Sequence, residues 1–236
     1  MKILLLGSQH GNELLGDALY AHLQAHYADL LPNITFKIGN PKAYEKGVRY
    51  IESDMNRSHD SGLGTYEADL AKDIQAYIEK ERFDLVLDLH TTVCVQPLCI
   101  IVSDILPENR TFLRASSIDK IVCIQDDIIH TTLVGKRPEA VAIEVSENDV
   151  TTELLDTMCQ DIRSYVEKAQ KPREKTIYTV ESLLLKSDVP VEEASQLINF
   201  KKMPSGYIPI LTGENSYKKN THYLGFKATK EAKSTV

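Results

Sequence analysis

The segment GSQHGNE, residues 7–13, follows the apolar run ILLL and sets His10 three residues before Glu13, with a glycine on either side of the histidine. In the first turn of a helix, residues three apart share a face, so an imidazole nitrogen and a carboxylate oxygen can converge on one ion. Taken alone, the pair is more often an ordinary polar turn capped for helix entry. A third ligand changes the balance. His90 closes the apolar run FDLVLDLH and reaches the same sheet edge if the two strands are parallel. Two histidines, one glutamate and an open position make the ligand set of a catalytic zinc site. Asp88, two residues before His90 and on the same strand face, is placed to accept a hydrogen bond from a ligand histidine. The polar stretch RYIESDMNRS carries Arg49, Asp54, Asn56 and Arg57. It is either a plain surface loop or a cationic and amide cluster suited to a carboxylate.

These residues must be held by a scaffold, and the hydrophobic pattern describes one. Apolar runs at KILLLG, ITFKIG, FDLVLDL, LCIIVS, KIVCI and AVAIEV read as strands. Helical patterns cover residues 12–29, YEADLAKDIQAYIEKE and VTTELLDTMCQDIRSYVEKA. Short strands apolar on both faces, separated by amphipathic helices, predict an α/β sheet covered on both sides. The C-terminal edge of such a sheet, where His10 and His90 fall, is where ligands bind. The charged, proline-containing segment KAQKPREKT breaks this rhythm. We therefore expect a catalytic domain over residues 1–171 and a small β-rich domain over residues 172–236. Strands are expected in the latter at TIYTVESLLL, INFKKM, YIPILTG and YLGFKATK.

Composition narrows the function classes. The 236 residues carry a net charge of −7 and no concentrated block of lysine and arginine, which argues against nucleic acid or an anionic membrane surface as partner. A small anionic substrate remains compatible, because one positive pocket can sit inside an acidic protein, and a homo-oligomer is allowed. Cys94, Cys99, Cys123 and Cys159 show no CxxC spacing and read as buried thiols in a reducing compartment. The first apolar run is shorter than a signal-peptide core, and no stretch approaches the length of a membrane span. The expectation is a cytoplasmic protein.

Four motifs in one order, GSQHGNE, RYIESDMNR, DLHTT and AIEVS, resemble the succinylglutamate desuccinylase/aspartoacylase family within the zinc-carboxypeptidase-like group. The resemblance implies a mixed, mainly parallel sheet with helices on both faces, and a β-rich C-terminal part that caps the active site. It also implies a zinc-dependent amidohydrolase that removes the acyl group from a small anionic N-acyl amino acid. Motif by motif it makes His10, Glu13 and His90 the ligands of one zinc per chain and Glu144 the catalytic acid/base. Arg49 becomes the carbonyl-polarising arginine, Asn56 and Arg57 the carboxylate grip, and Tyr217, in NSYKKN, a substrate-binding tyrosine. One departure bears on the substrate. The family's aspartoacylases carry a further arginine about ten residues before the catalytic glutamate, where this chain has Val134, with Lys136 and Arg137 nearby. The chain is also shorter than typical members. A zinc carboxypeptidase acting on peptides is the alternative; it needs an open groove, whereas a C-terminal part overhanging the metal admits only small substrates. A non-catalytic zinc module has no need of Glu144 and Arg49.

Overall fold

The structure is a computed structural model that describes residues 1–62, 64–169 and 172–236. In chain order its elements are β1 (Ile3–Gly7), α1 (Leu15–His26), β2 (Ile34–Ile38), α2 (Pro41–Lys46), α3 (Tyr66–Glu81), β3 (Leu85–Thr92), β4 (Cys99–Val102), α4 (Pro107–Ala115), β5 (Lys120–Ile124), α5 (Leu133–Lys136), β6 (Ala140–Ser146), α6 (Thr152–Val166), β7 (Glu174–Leu185), α7 (Val191–Ala194), β8 (Ile208–Ile210), α8 (Asn215–Asn220) and β9 (Tyr223–Thr235). The strands form one sheet in the order β2-β1-β3-β6-β4-β5-β7-β9-β8. β1 is parallel to β2 and β3, β3 to β6, β4 to β5, and β5 to β7. The pairs β4/β6, β7/β9 and β8/β9 are antiparallel. The sheet is therefore mixed and mainly parallel, as expected.

Strand β1 shows why its sequence is apolar throughout. Ile3 and Leu5 pack on the side of Leu15, Leu19 and Leu23 of α1, while Leu4 and Leu6 pack on the side of Ala71, Ile74 and Ile78 of α3. All four strand residues are fully buried, so a polar residue at any of them would lose its hydration without a partner. Helices α1, α4 and α6 cover one face; α3 and α5 cover the other.

Residue 171, where the sequence puts a domain boundary, lies outside the described residues. Beyond it, β7 continues the sheet beside β5. The side chains of Tyr178, Val180, Ile208, Ile210 and Phe226 join the same core cluster as Leu4 and Leu6. The expected strand at INFKKM is absent: residues 198–203 are turns and irregular chain. Phe200 takes a left-handed φ of 62°, and Met203 N donates to Tyr207 O at 2.8 Å, so the chain doubles back before it can pair. Among the described residues no helix is long and apolar enough to cross a membrane.

Candidate active site

Three parallel strands, β1, β3 and β6, end at one edge of the sheet, and their register sets the chemistry at one level. Gly7 pairs with Leu89, and His90 with Glu144. Alternation along a strand sends Asp88 and His90 of β3, and Ala142 and Glu144 of β6, to one face. It is the face covered by α3 and α5, because Val86, Ala140 and Ala142 pack there. His90 thus lies inside β3 rather than beyond its end.

The segment after β1 differs from the expected helical turn. Ser8 adopts a left-handed φ of 53°, a conformation costing about 1–2 kcal/mol for an L-residue. Its hydroxyl donates to Glu13 O at 3.0 Å, which helps hold it there. Gly11 lies against α2 so closely that a Cβ would sit 2.1 Å from the Ala43 carbonyl carbon. The Glu13 amide donates to His10 O at 3.0 Å, closing a tight turn, and α1 begins only at Leu15. His10 and Glu13 face one another across this turn, not along a helix.

Their side chains meet His90. His10 Nδ1 lies 2.7 Å from Glu13 Oε1, and His90 Nδ1 lies 2.8 Å from Glu13 Oε2. One ligand atom from each of the three buried residues falls within 4.8 Å of the others. The far nitrogen of each ring meets an aspartate. His10 Nε2 is 3.1 Å from Asp54 Oδ1, and His90 Nε2 is 2.9 Å from Asp88 Oδ1, although neither atom of the latter pair has a well-aligned hydrogen bond. Burial and Arg49 pull the His10 pKa down, yet Glu13 and Asp54 outweigh them and raise it. Burial is likewise overcome at His90, raised well above the usual imidazole range by Asp88 and Glu13. The carboxylates thus demand positive charge between the two rings. Two imidazoles and a carboxylate, each ring backed by an aspartate, fit a zinc ion with an open position.

The remaining expected residues surround this cluster. A cavity of about 30 Å³ is lined by His10, Glu13, Arg49, Asn56, Arg57 and Glu144, among others, and by Leu211, Glu214 and Tyr217 from the C-terminal part. Burial pushes the Glu144 carboxyl up to about 7, Glu13 adding to the effect while His90, His10 and Arg49 oppose it. Its Oε2 is buried without a hydrogen-bond partner. Arg49 donates to Glu13 at 3.0 Å and to Asp54 at 3.1 Å. Arg57 donates to Asn56 O at 2.6 Å and to the Tyr223 hydroxyl at 2.9 Å. Burial raises the Tyr217 hydroxyl pKa above the usual range, and Tyr217 sits on the short helix α8 with its ring 4.9 Å from that of Tyr223. Val134 lines a deeper cavity behind His90 and Glu144. Lys136 and Arg137 do not join it: Lys136 pairs with Asp60, and Arg137 with Glu139.

Two supporting residues escaped the sequence. Asp54 was visible only as one polar residue among four, and nothing in its spacing marked it as the link between His10 and Arg49. Glu67, fully buried in the first turn of α3, accepts the backbone N–H groups of Ile51, Glu52 and Ser53 at 2.7–3.1 Å and the Asn40 amide at 3.1 Å. It pins the connection that carries Arg49 and Asp54, yet in sequence it is an ordinary acidic residue near a helix start.

Comparison with known proteins bears on the family and the fold. Residues 1–167 match the model of the succinylglutamate desuccinylase/aspartoacylase catalytic domain. A probable aspartoacylase of a Nostoc species is 34% identical over an alignment of 116 residues that covers 44% of this chain and 39% of that protein. The chain thus spans about two fifths of the length of such relatives. The crystal structure of murine aminoacylase 3 superposes with a TM-score of 0.72 at 18% identity, covering 100% of this chain and 97% of the other. More distantly, a metallo-carboxypeptidase from Burkholderia cenocepacia shares the fold at a TM-score of 0.53 and 14% identity, over 71% of this chain and 57% of its own.

Proposed function

The chain belongs to the succinylglutamate desuccinylase/aspartoacylase family, and from that premise we propose that it is a zinc-dependent amidohydrolase that cleaves the amide bond of N-acyl amino acids. The observation that carries this reading is the convergence of His10, Glu13, Arg49, Asn56, Arg57 and Glu144 on one small chamber.

His10, Glu13 and His90 would hold the metal, which when bound would supply a Lewis acid and lower the pKa of a water towards about 7. Glu144, whose carboxyl is pushed up to about 7 by burial, takes the proton of the attacking water and returns it to the leaving nitrogen. Arg49 offers its charge to the oxyanion that develops at the attacked carbonyl. Arg57 and Asn56 hold the α-carboxylate of the substrate, the guanidinium through a planar fork. Tyr217 closes the chamber from the C-terminal side. The products are a free carboxylate and a free amino acid.

Small substrates are favoured over peptides because residues 172–236 act as a cap: Leu211, Glu214 and Tyr217 line the chamber beside the metal ligands. A peptide-cleaving enzyme needs an open groove at that place. The four cysteines are buried free thiols, which suits a reducing compartment, the cytoplasm in this reading. The test is a screen of zinc-loaded protein against N-acetyl and N-succinyl amino acids, with C-terminally free peptides as competitors. Release of free amino acid from the acylated monomers supports the proposal; cleavage confined to peptides contradicts it.

A further inference from the structure

Next to the chamber, and sharing Asn56, Arg57, Glu144, Leu211 and Tyr217 with it, lies a second cavity of about 50 Å³ that His90 also lines. Its inner wall is made by Ile101, Ile124, Ile129, Val134, Ala142 and Phe226, all at least nine-tenths buried. These side chains come from β4, β5, the turn after it, α5, β6 and β9, so three adjacent central strands and β9 contribute to one apolar wall. Of the polar atoms at its border, three oxygens, Asn56 Oδ1, Asp88 Oδ1 and Glu144 Oε2, and one nitrogen, His90 Nε2, are buried without a hydrogen-bond partner. The Thr132 hydroxyl donates to Ile129 O at 2.7 Å, and Asp88 faces His90 at 2.9 Å.

Charge divides this cavity into two ends. At the mouth, the buried Arg57 guanidinium has a backbone carbonyl and a tyrosine hydroxyl as its hydrogen-bond partners, and no carboxylate lies at ion-pair distance from it among the described residues. Asn56 Oδ1 beside it is buried and unpartnered. The cation therefore awaits an anionic group at the mouth, while the Asn56 oxygen, an acceptor, suits a donor such as the substrate N–H. No cation lines the inner end: Lys136 and Arg137, the nearest basic residues in sequence, pair with Asp60 and Glu139. The acids that border the cavity, Asp88 and Glu144, would repel a second carboxylate.

Resting on the deacylase reading above, we propose that this cavity receives the side chain of the amino acid to be released, and that the enzyme selects apolar side chains over aspartate and glutamate. The substrate's α-carboxylate sits on Arg57 at the mouth, and its side chain enters the isoleucine-lined end. Its acyl group points back toward the outer vestibule of about 380 Å³ that Asn12, Tyr50, Val93 and Glu147 help to line. A water-sized group occupies about 10–15 Å³ by this measure, so the inner space holds about four carbon-sized groups. That matches valine, leucine, isoleucine or methionine. An acidic side chain would lose its hydration and face the carboxyl oxygens of Asp88 and Glu144.

The experiment compares kcat/KM for N-acetyl-leucine, N-acetyl-alanine, N-acetyl-aspartate and N-acetyl-glutamate on the zinc-loaded enzyme, and in parallel the rise in Tm caused by free leucine and free aspartate. Leucine is expected to exceed aspartate by at least about a hundredfold in kcat/KM, and free leucine to protect more. Equal or reversed preference in turnover overturns the proposal while leaving the deacylase reading intact. If no N-acyl amino acid is turned over, that reading falls, and the binding arm then decides: stronger protection by leucine supports the apolar pocket, equal or stronger protection by aspartate overturns it. Val134→Phe, which fills the cavity, should lower the leucine-to-alanine ratio by about tenfold or more, a methylene-scale discrimination. Should that variant not fold, Ile124→Ala enlarges the same space and should raise turnover of N-acetyl-phenylalanine relative to N-acetyl-alanine; no change in either ratio contradicts the assignment.

Discussion

At the scale of single residues the account separates groups that hold metal from groups that act on substrate. Glu144 lies beside His90 in the strand register but is assigned a proton rather than an ion. Glu144→Gln is therefore expected to keep zinc and fold while lowering kcat by about a hundredfold to ten-thousandfold, the usual range for loss of a general acid/base. Elemental analysis and circular dichroism check the first half, steady-state kinetics the second. Turnover near that of the unmodified enzyme would assign the proton to another group. Arg57 makes a different claim, because its role depends on geometry as well as charge. A lysine keeps the charge but not the planar fork. Arg57→Lys should consequently cost nearly as much as Arg57→Ala, about ten- to a hundredfold in kcat/KM on substrates with a free α-carboxylate, corresponding to one charge-assisted hydrogen bond. Full rescue by lysine would reduce the contact to simple charge attraction.

At the scale of elements, the connection between α2 and α3 is held from below by one buried carboxylate. Burial alone would raise the Glu67 pKa, but the three backbone donors and Asn40 lower it below its usual value. The charged form is thus favoured by folding. The sign follows: the stability that Glu67 contributes is present above the unfolded pKa of about 4.3 and is lost as pH falls through its lower folded value. Glu67→Gln should lower stability by about 2 kcal/mol near neutral pH, roughly 4–8 °C in Tm. The gap between the two proteins should close as the pH drops below about 4. Thermal melts of both across that range provide the check; a gap independent of pH would mean that Glu67 is not held as a carboxylate. The same connection shows where sequence reading stops. The strand edge and the triplet His10, Glu13 and His90 were legible, because apolar runs and local spacing encode them. Asp54 and Glu67 were not, since the His10 partner of Asp54 lies 44 residues away and the partners of Glu67 lie 14–27 away, and an isolated acidic residue carries no mark of its partner. The helix expected from residue 12 begins only at Leu15, because the packing of Gly11 on α2 that sets the preceding turn is a tertiary contact. INFKKM has strand-like composition, but turn geometry at Phe200 overrides it.

At the scale of the molecule, the C-terminal part supplies both site and scaffold. It extends the sheet beyond β5 and shares a core with β1 and α3. A fragment of residues 1–171 would expose the β5 edge and the apolar surface that Val180, Ile210 and Phe226 cover, a template for aggregation. It should fail to give a cooperative, monomeric unfolding transition; a fragment that melts as a stable monomer would show the two parts to be independent. The central claim is that one buried metal site drives amide hydrolysis. The most direct test is to strip the protein with a chelator, titrate zinc back, and follow release of free amino acid from its best N-acyl substrate against bound zinc, beside His90→Ala. The account predicts activity rising in proportion to zinc up to one ion per chain, with the variant neither retaining zinc nor regaining activity. Full turnover by the stripped protein, or stoichiometric zinc and normal turnover in His90→Ala, would contradict it.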